Sequence, residues 1–193
     1  MLGKYLSVSQ LSRLNFKKIG ANVLIDTNVI IPFPNNIEIG DNVRIDTMCI
    51  LSSGKSGNII IKNNVHIAPF NLIYCADNHK IVFDNHSGLS AGCKLYGKSG
   101  NYDGNSLLNP THKEEDTIIT GGDIILNKFT SLGADSILLP GSIIPIGTVL
   151  GAKSLYNAKY SLSEWSIYAG IPVRFISKRS NACELLSKKY KTT

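Results

Sequence analysis

Five aliphatic residues stand at equal six-residue steps near the end of the chain: Leu126, Leu132, Leu138, Ile144 and Leu150. Four residues behind each runs a column of small hydroxyl side chains, Thr130, Ser136, Ser142, Thr148 and Ser154. A period of six matches neither a helical face nor an alternating strand. It matches a chain that turns the same corner every six residues, so that three short strands make one triangular coil. The large aliphatic fills the prism and the small residue sits where the next wall begins. This is the hexapeptide pattern of a parallel β-helix.

Followed backwards, the pattern begins at Ile19-Gly20 and continues through Ile25 and Ile31. It slips at Phe33-Pro34 and resumes at Ile39, Ile45 and Leu51. A bulge over 52–58 precedes Ile61, Ile67 and Ile73. The phase breaks over 77–88 and returns at Leu89 and Leu95. From 97 to 122 it disappears into a stretch with five glycines and a charged run, Lys113 to Asp116. A loop that long is expected to be extruded and functional. The expected organisation is therefore a cap over 1–18, a parallel β-helix over 19–155 carrying the loop 97–122, and a tail over 156–193 with a short helix at 181–190.

Composition excludes several classes. The chain has 193 residues, 43% of them hydrophobic and 18% charged, as in an ordinary globular domain. No run reaches the roughly 18 apolar residues that mark a membrane-spanning helix, so no membrane insertion is expected. The first residues lack an apolar signal core, and Cys49, Cys75, Cys93 and Cys183 show no paired spacing. Both point to a reducing cytoplasm. The net charge of +6 is spread along the chain except for Lys178, Arg179, Lys188, Lys189 and Lys191. It suits phosphorylated small molecules, and no nucleic-acid partner is expected.

Residues 92–99, Gly-Cys-Lys-Leu-Tyr-Gly-Lys-Ser, spell the phosphate-binding P-loop pattern. That chemistry needs a helix after the lysine, so that amide groups converge on phosphate. Gly100, Asn101, Asp103 and Gly104 begin no helix, and the match reads as chance. Histidine is more informative. His79 and His86 fall where the repeat is interrupted, and an imidazole with a reference pKa near 6.5 can take a proton at neutral pH.

The segments Ile67-Ala68-Pro69, Ile73-Tyr74 and His79, with Leu138-Leu139-Pro140-Gly141 and residues 166–176 (SIYAGIPVRFI), resemble the left-handed β-helix acyltransferases, the hexapeptide-transferase superfamily. The resemblance covers about residues 19–176. The block Leu89–Tyr96, Asn101–Gly104 and Asn109-Pro110-Thr111 is similar to the sugar O-/N-acetyltransferases of surface polysaccharides such as lipopolysaccharide O-antigen. The resemblance implies an acetyl-CoA donor, no metal, a homotrimer, and direct attack of a sugar or nucleotide-sugar hydroxyl or amine on the thioester. It implies His79 as general base, with His86 the alternative. Asp84, Tyr102, Asp103 and Asn109 are expected on the acceptor. Gly133, Ala134, Gly151 and Ala152 are expected along the pantetheine arm, with Arg174 and Lys178 on the CoA phosphates.

Two other classes share the shape. A γ-class carbonic anhydrase-like zinc enzyme needs three histidines around one metal, and the usual pair four residues apart is absent. A non-catalytic β-helix scaffold predicts unbroken faces, whereas this chain interrupts its coils at residues rich in His, Asp and Tyr.

Overall fold

A computed structural model describes residues 4–109 and 111–190; Pro110 and Lys191, both singled out above, lie outside them. The described chain winds as a left-handed parallel β-helix with three walls, of six, eight and five strands, plus a two-stranded ribbon. One coil runs from the first wall (Ile37–Ile39) to the second (Arg44–Ile45) and the third (Ile50–Ser52), then back to the first (Asn58–Ile61). Strands pair in parallel with their counterparts in the next coil, as Ile39 with Ile61 and Ile61 with Phe83.

The interior is the aliphatic column of the sequence. Leu126, Leu132, Leu138, Ile144 and Leu150 are fully buried, each worth roughly 1.5–3 kcal/mol of apolar burial. The hydroxyl column is buried too, and its polar atoms are satisfied by backbone. Thr130 Oγ1 donates to the Asn127 carbonyl (2.8 Å), Ser136 Oγ to Gly151 (3.0 Å) and Thr148 Oγ1 to Ser163 (2.8 Å).

The slips in the repeat share one cause. Equivalent corner residues are 20 residues apart in the first coil, 22 in the next ones and 18 in the last. The longer coils have a longer first wall that turns two side chains inward, Ile37 with Ile39, Ile59 with Ile61, and Ile81 with Phe83. The stretch 77–88 is thus still wall and corner, although its hexad phase is lost.

Both ends are covered. At the start, the helix Val8–Arg13 is closed by a capping box between Ser7 and Gln10 and buries Leu11. At the other end the second wall runs on into the segment expected as tail. Ser166–Ala169 pairs in parallel with Val149–Leu150, and Arg174–Lys178 folds back antiparallel onto it. The helix Cys183–Ser187 and the 3-10 turn Lys188–Tyr190 follow. Cys49, Cys75 and Cys93 are buried free thiols, each pushed up to about 11 by burial. They are inert interior groups.

Candidate active site

The loop 97–122 leaves and re-enters at the third corner, between the third-wall strand Lys94–Tyr96 and the first-wall strand Ile124–Leu126. Its base is an antiparallel ribbon, Lys98–Gly100 with Ile119–Gly121. The P-loop-like letters therefore run along a wall into this ribbon, with no helix after them. One coil earlier the same corner holds Ala76, Asp77, Asn78 and His79. The solenoid step thus lays the root of the loop directly beside His79.

What it brings there is Asp123. His79 Nδ1 lies 3.1 Å from Asp123 Oδ1, which also accepts the Lys80 backbone N–H at 3.0 Å. A carboxylate oxygen can only accept, so Nδ1 is the donor and Nε2 is left as the acceptor nitrogen. Gly121 makes this possible: a Cβ there would stand 2.9 Å from Nε2 and Cδ2 of the ring. The His79 side chain remains 37% exposed. Beside it the Lys98 ammonium lies 5.1 Å from the centre of the Tyr74 ring. Neither Asp123 nor Gly121 stands out in the sequence. The one signal is that Gly-Gly-Asp ends the extruded loop just before the repeat resumes.

His86 is elsewhere, at the first corner. Its ring stacks on Phe129 (5.1 Å, 5° between planes), which meets Trp165 at 5.9 Å. Arg179 closes the stack, donating to the carbonyls of Phe129 (2.7 Å) and Gly147 (2.8 Å) and lying 5.8 Å over the Trp165 ring. Burial, with the Lys128 charge, holds the His86 imidazole below its usual range. Asp84 shares this corner, bridging to Lys62 (3.0 Å) and accepting the Asn85 N–H.

The loop residues expected on the acceptor lie farther out. Tyr102 is exposed, and Asp103 accepts from Asn101 and Asn105 in a turn of its own. Those hydrogen bonds hold the Asp103 carboxyl below the usual range, the Asn105 backbone N–H foremost. Asn109 accepts the Thr111 N–H and borders a hollow inside the loop.

The residues expected on the donor gather at the second corner. Gly133 packs so closely on the next coil that a Cβ would lie 2.4 Å from Ala152 N; Gly151 lies under Ala169. The Lys153 N–H donates to the Ala134 carbonyl at 2.7 Å. Close coil stacking therefore already accounts for glycine at 133. Arg174 pairs with Ala169 and extends this edge, exposed. Lys178 is four residues farther along that strand, its Nζ on Ser166 Oγ at 3.3 Å, about 13 Å from Arg174. Arg174 joins the corner and Lys178 does not. Among the described residues no group of three or more His, Cys, Asp or Glu side chains converges as a metal site requires.

No family model matches the chain. It is 34% identical over 176 residues to dTDP-4-amino-4,6-dideoxy-D-glucose acyltransferase of Escherichia coli, covering 91% of this chain and 89% of the relative. Solved structures of AntD, an N-acyltransferase from Bacillus cereus, superpose over nearly the whole chain. One, with dTDP and 3-hydroxybutyryl-CoA, gives a TM-score of 0.89 at 33% identity, covering 98% of this chain and 97% of that one. Another, a variant with dTDP-4-amino-4,6-dideoxyglucose and coenzyme A, gives 0.90 at 31% identity over 98% of both. With the β-helix fold shared across such lengths, the chain belongs to the hexapeptide-repeat sugar acyltransferases and is an acyltransferase.

Proposed function

We propose that this enzyme moves an acyl group from an acyl-coenzyme A, acetyl-CoA among them, to the amino group of a dTDP-linked amino sugar. The curated relative acts on such a sugar by name, and AntD binds both halves of the reaction. His79 serves as the general base. The observation that carries this is the His79–Asp123 pair, which leaves Nε2 free to accept at the mouth of the extruded loop.

The free amine attacks the thioester carbon, and the carbon–sulfur bond breaks as the tetrahedral intermediate collapses. The amine proton passes to His79 Nε2 and from there to the departing CoA thiolate. Such a base contributes roughly 10²–10⁴-fold. Asp123 fixes the tautomer and the orientation of the ring. The donor lies along the second corner at Gly133, Ala134, Gly151 and Ala152, with its phosphates on Arg174.

Within one prism that corner and the His79 corner flank opposite edges of the third wall, roughly 15 Å apart. A homotrimer, in which the donor corner of one copy faces His79 of the next, resolves this separation. The buried unpaired thiols suit a cytoplasmic enzyme.

The test is thiol release from acetyl-CoA and butyryl-CoA with dTDP-4-amino-4,6-dideoxyglucose as acceptor. His79→Ala is expected to lower kcat by at least about 10² while the molecular mass in ultracentrifugation stays that of a trimer. Near-normal kcat in that variant would move the role of base to His86, or, if His86→Ala is active too, show that the amine arrives deprotonated and needs no side-chain base. Absence of thiol release with every donor and acceptor would remove the function.

A further inference from the structure

The extruded loop encloses a hollow of about 240 Å³ that the transfer chemistry alone does not require. Its wall is mostly hydrocarbon: Leu107, Leu108, Ile118 and Ile119, closed on the inner side by Tyr74 and Lys98. The four aliphatics are 47–58% exposed, an unfavourable arrangement in water unless something apolar covers them. The hollow is nevertheless a built one. The Leu107 N–H donates to Asp116 (2.8 Å) and the Asn101 N–H to Ile118 (3.0 Å). Gly100 leaves room for Leu108, whose Cδ2 would sit 3.3 Å from a Cβ there.

Its direction is set by the ribbon. Side chains two residues apart on a strand share a face, so Ile119 points to the same side as position 121, which faces the His79 ring. Lys98, opposite Gly121, is on that face too, over Tyr74. The reacting centre and the mouth of the hollow are therefore about 7 Å apart along one surface. That span needs an acyl chain of about six carbons, which extends roughly 6 Å past a carbonyl that sits at His79.

We infer that the hollow receives the hydrocarbon part of the donor's acyl group, so that the preferred donor carries an acyl chain longer than acetyl. This rests on the function proposed above and adds the donor class. The lining favours an acyl tail over the acceptor: the exposed apolar surface of four aliphatic side chains exceeds the polar surface offered by Lys98, Ser99, Asn109 and Thr117, and a single ammonium is a poor match for a diphosphate. A buried methylene is worth about fourfold in binding, so a hexanoyl chain with its last two carbons in the hollow predicts a kcat/KM about fifteenfold above that of acetyl.

The experiment compares kcat/KM for acetyl-CoA and hexanoyl-CoA, with dTDP-4-amino-4,6-dideoxyglucose as acceptor, in the wild type and in Leu108→Ser and Ile119→Ser. The expected result is a hexanoyl-over-acetyl ratio of about fifteen that falls towards one in both variants. Acetyl-CoA used as well as hexanoyl-CoA by the wild type overturns the inference while leaving the transferase reading intact. So does a preserved ratio in both variants if they instead lose discrimination between 6-deoxy and 6-hydroxy acceptors, which would assign the hollow to the sugar. No thiol release from either donor removes both readings together.

Discussion

At the scale of single residues, the site depends on two small facts about the end of the loop. Asp123 holds Nδ1 of His79, and Gly121 leaves space for the ring. Asp123→Asn keeps the shape but removes the carboxylate that orients the imidazole. Its expected signature is a kcat reduced by an order of magnitude or more, with an altered pH profile of kcat/KM and an unchanged Tm. A merely structural aspartate would instead lower Tm and leave the pH profile alone. Gly121→Val tests the same geometry from the other side. Its Cβ would meet the ring at 2.9 Å, so turnover should fall while thermal unfolding stays close to wild type, because the ribbon lies outside the prism.

At the scale of elements, each corner of the solenoid is a column with its own chemistry. The first corner begins as an amide ladder, Asn22 to Asn42 (3.0 Å) and Asn42 to Asn64 (3.3 Å), and continues as the His86–Phe129–Trp165 stack under Arg179. All six of these asparagine and ring residues adopt left-handed backbone, with φ between 50° and 61°, so stacking and side-chain ladders offset a conformation that L residues avoid.

Because burial lowers the His86 pKa in the folded chain, the unfolded chain binds its proton more readily. This stability is fully present above the unfolded value, about 6.5, and is lost as pH falls below it through the lower folded value. Tm should therefore decline between about pH 7 and pH 5. His86→Phe, whose ring can take the same place on Phe129, should flatten that decline in thermal scans across pH. A decline that stays as steep in the variant would place the sensitive group elsewhere. In the prism interior, Leu138→Ala empties a fully buried position and should cost about 2–5 kcal/mol in urea unfolding.

Over the whole molecule, the β-helix is a self-sufficient support and the loop is an attachment to it. First-wall pairing of Ile81–Phe83 with Ile124–Leu126 bypasses the loop altogether. Replacing residues 101–118 by a two-residue turn, joining Gly100 to Ile119, should leave the Tm nearly unchanged. It should remove the preference for the longer acyl chain and most of the turnover, as calorimetry and thiol release would show.

The prism is legible in the residues because each coil repeats one requirement. Leu126, Leu132 and Leu138 must fill the same interior whatever lies outside, and the hydroxyls behind them must fit the same corner. The family resemblance is legible for a related reason: residues 166–176 form the last wall and its antiparallel return, where spacing is tightly constrained. His79 is visible as a histidine at a break in the repeat. Its partner is not, because Asp123 lies 44 residues away, and their contact depends on a loop leaving and rejoining the corner one coil above. The separation of His86 and Asp84 from His79, and of Lys178 from Arg174, likewise follows from which corner each residue reaches. Local spacing determines that a chain coils and what fills the coil; which side chains meet across coils is decided only when the loop closes and the walls are stacked.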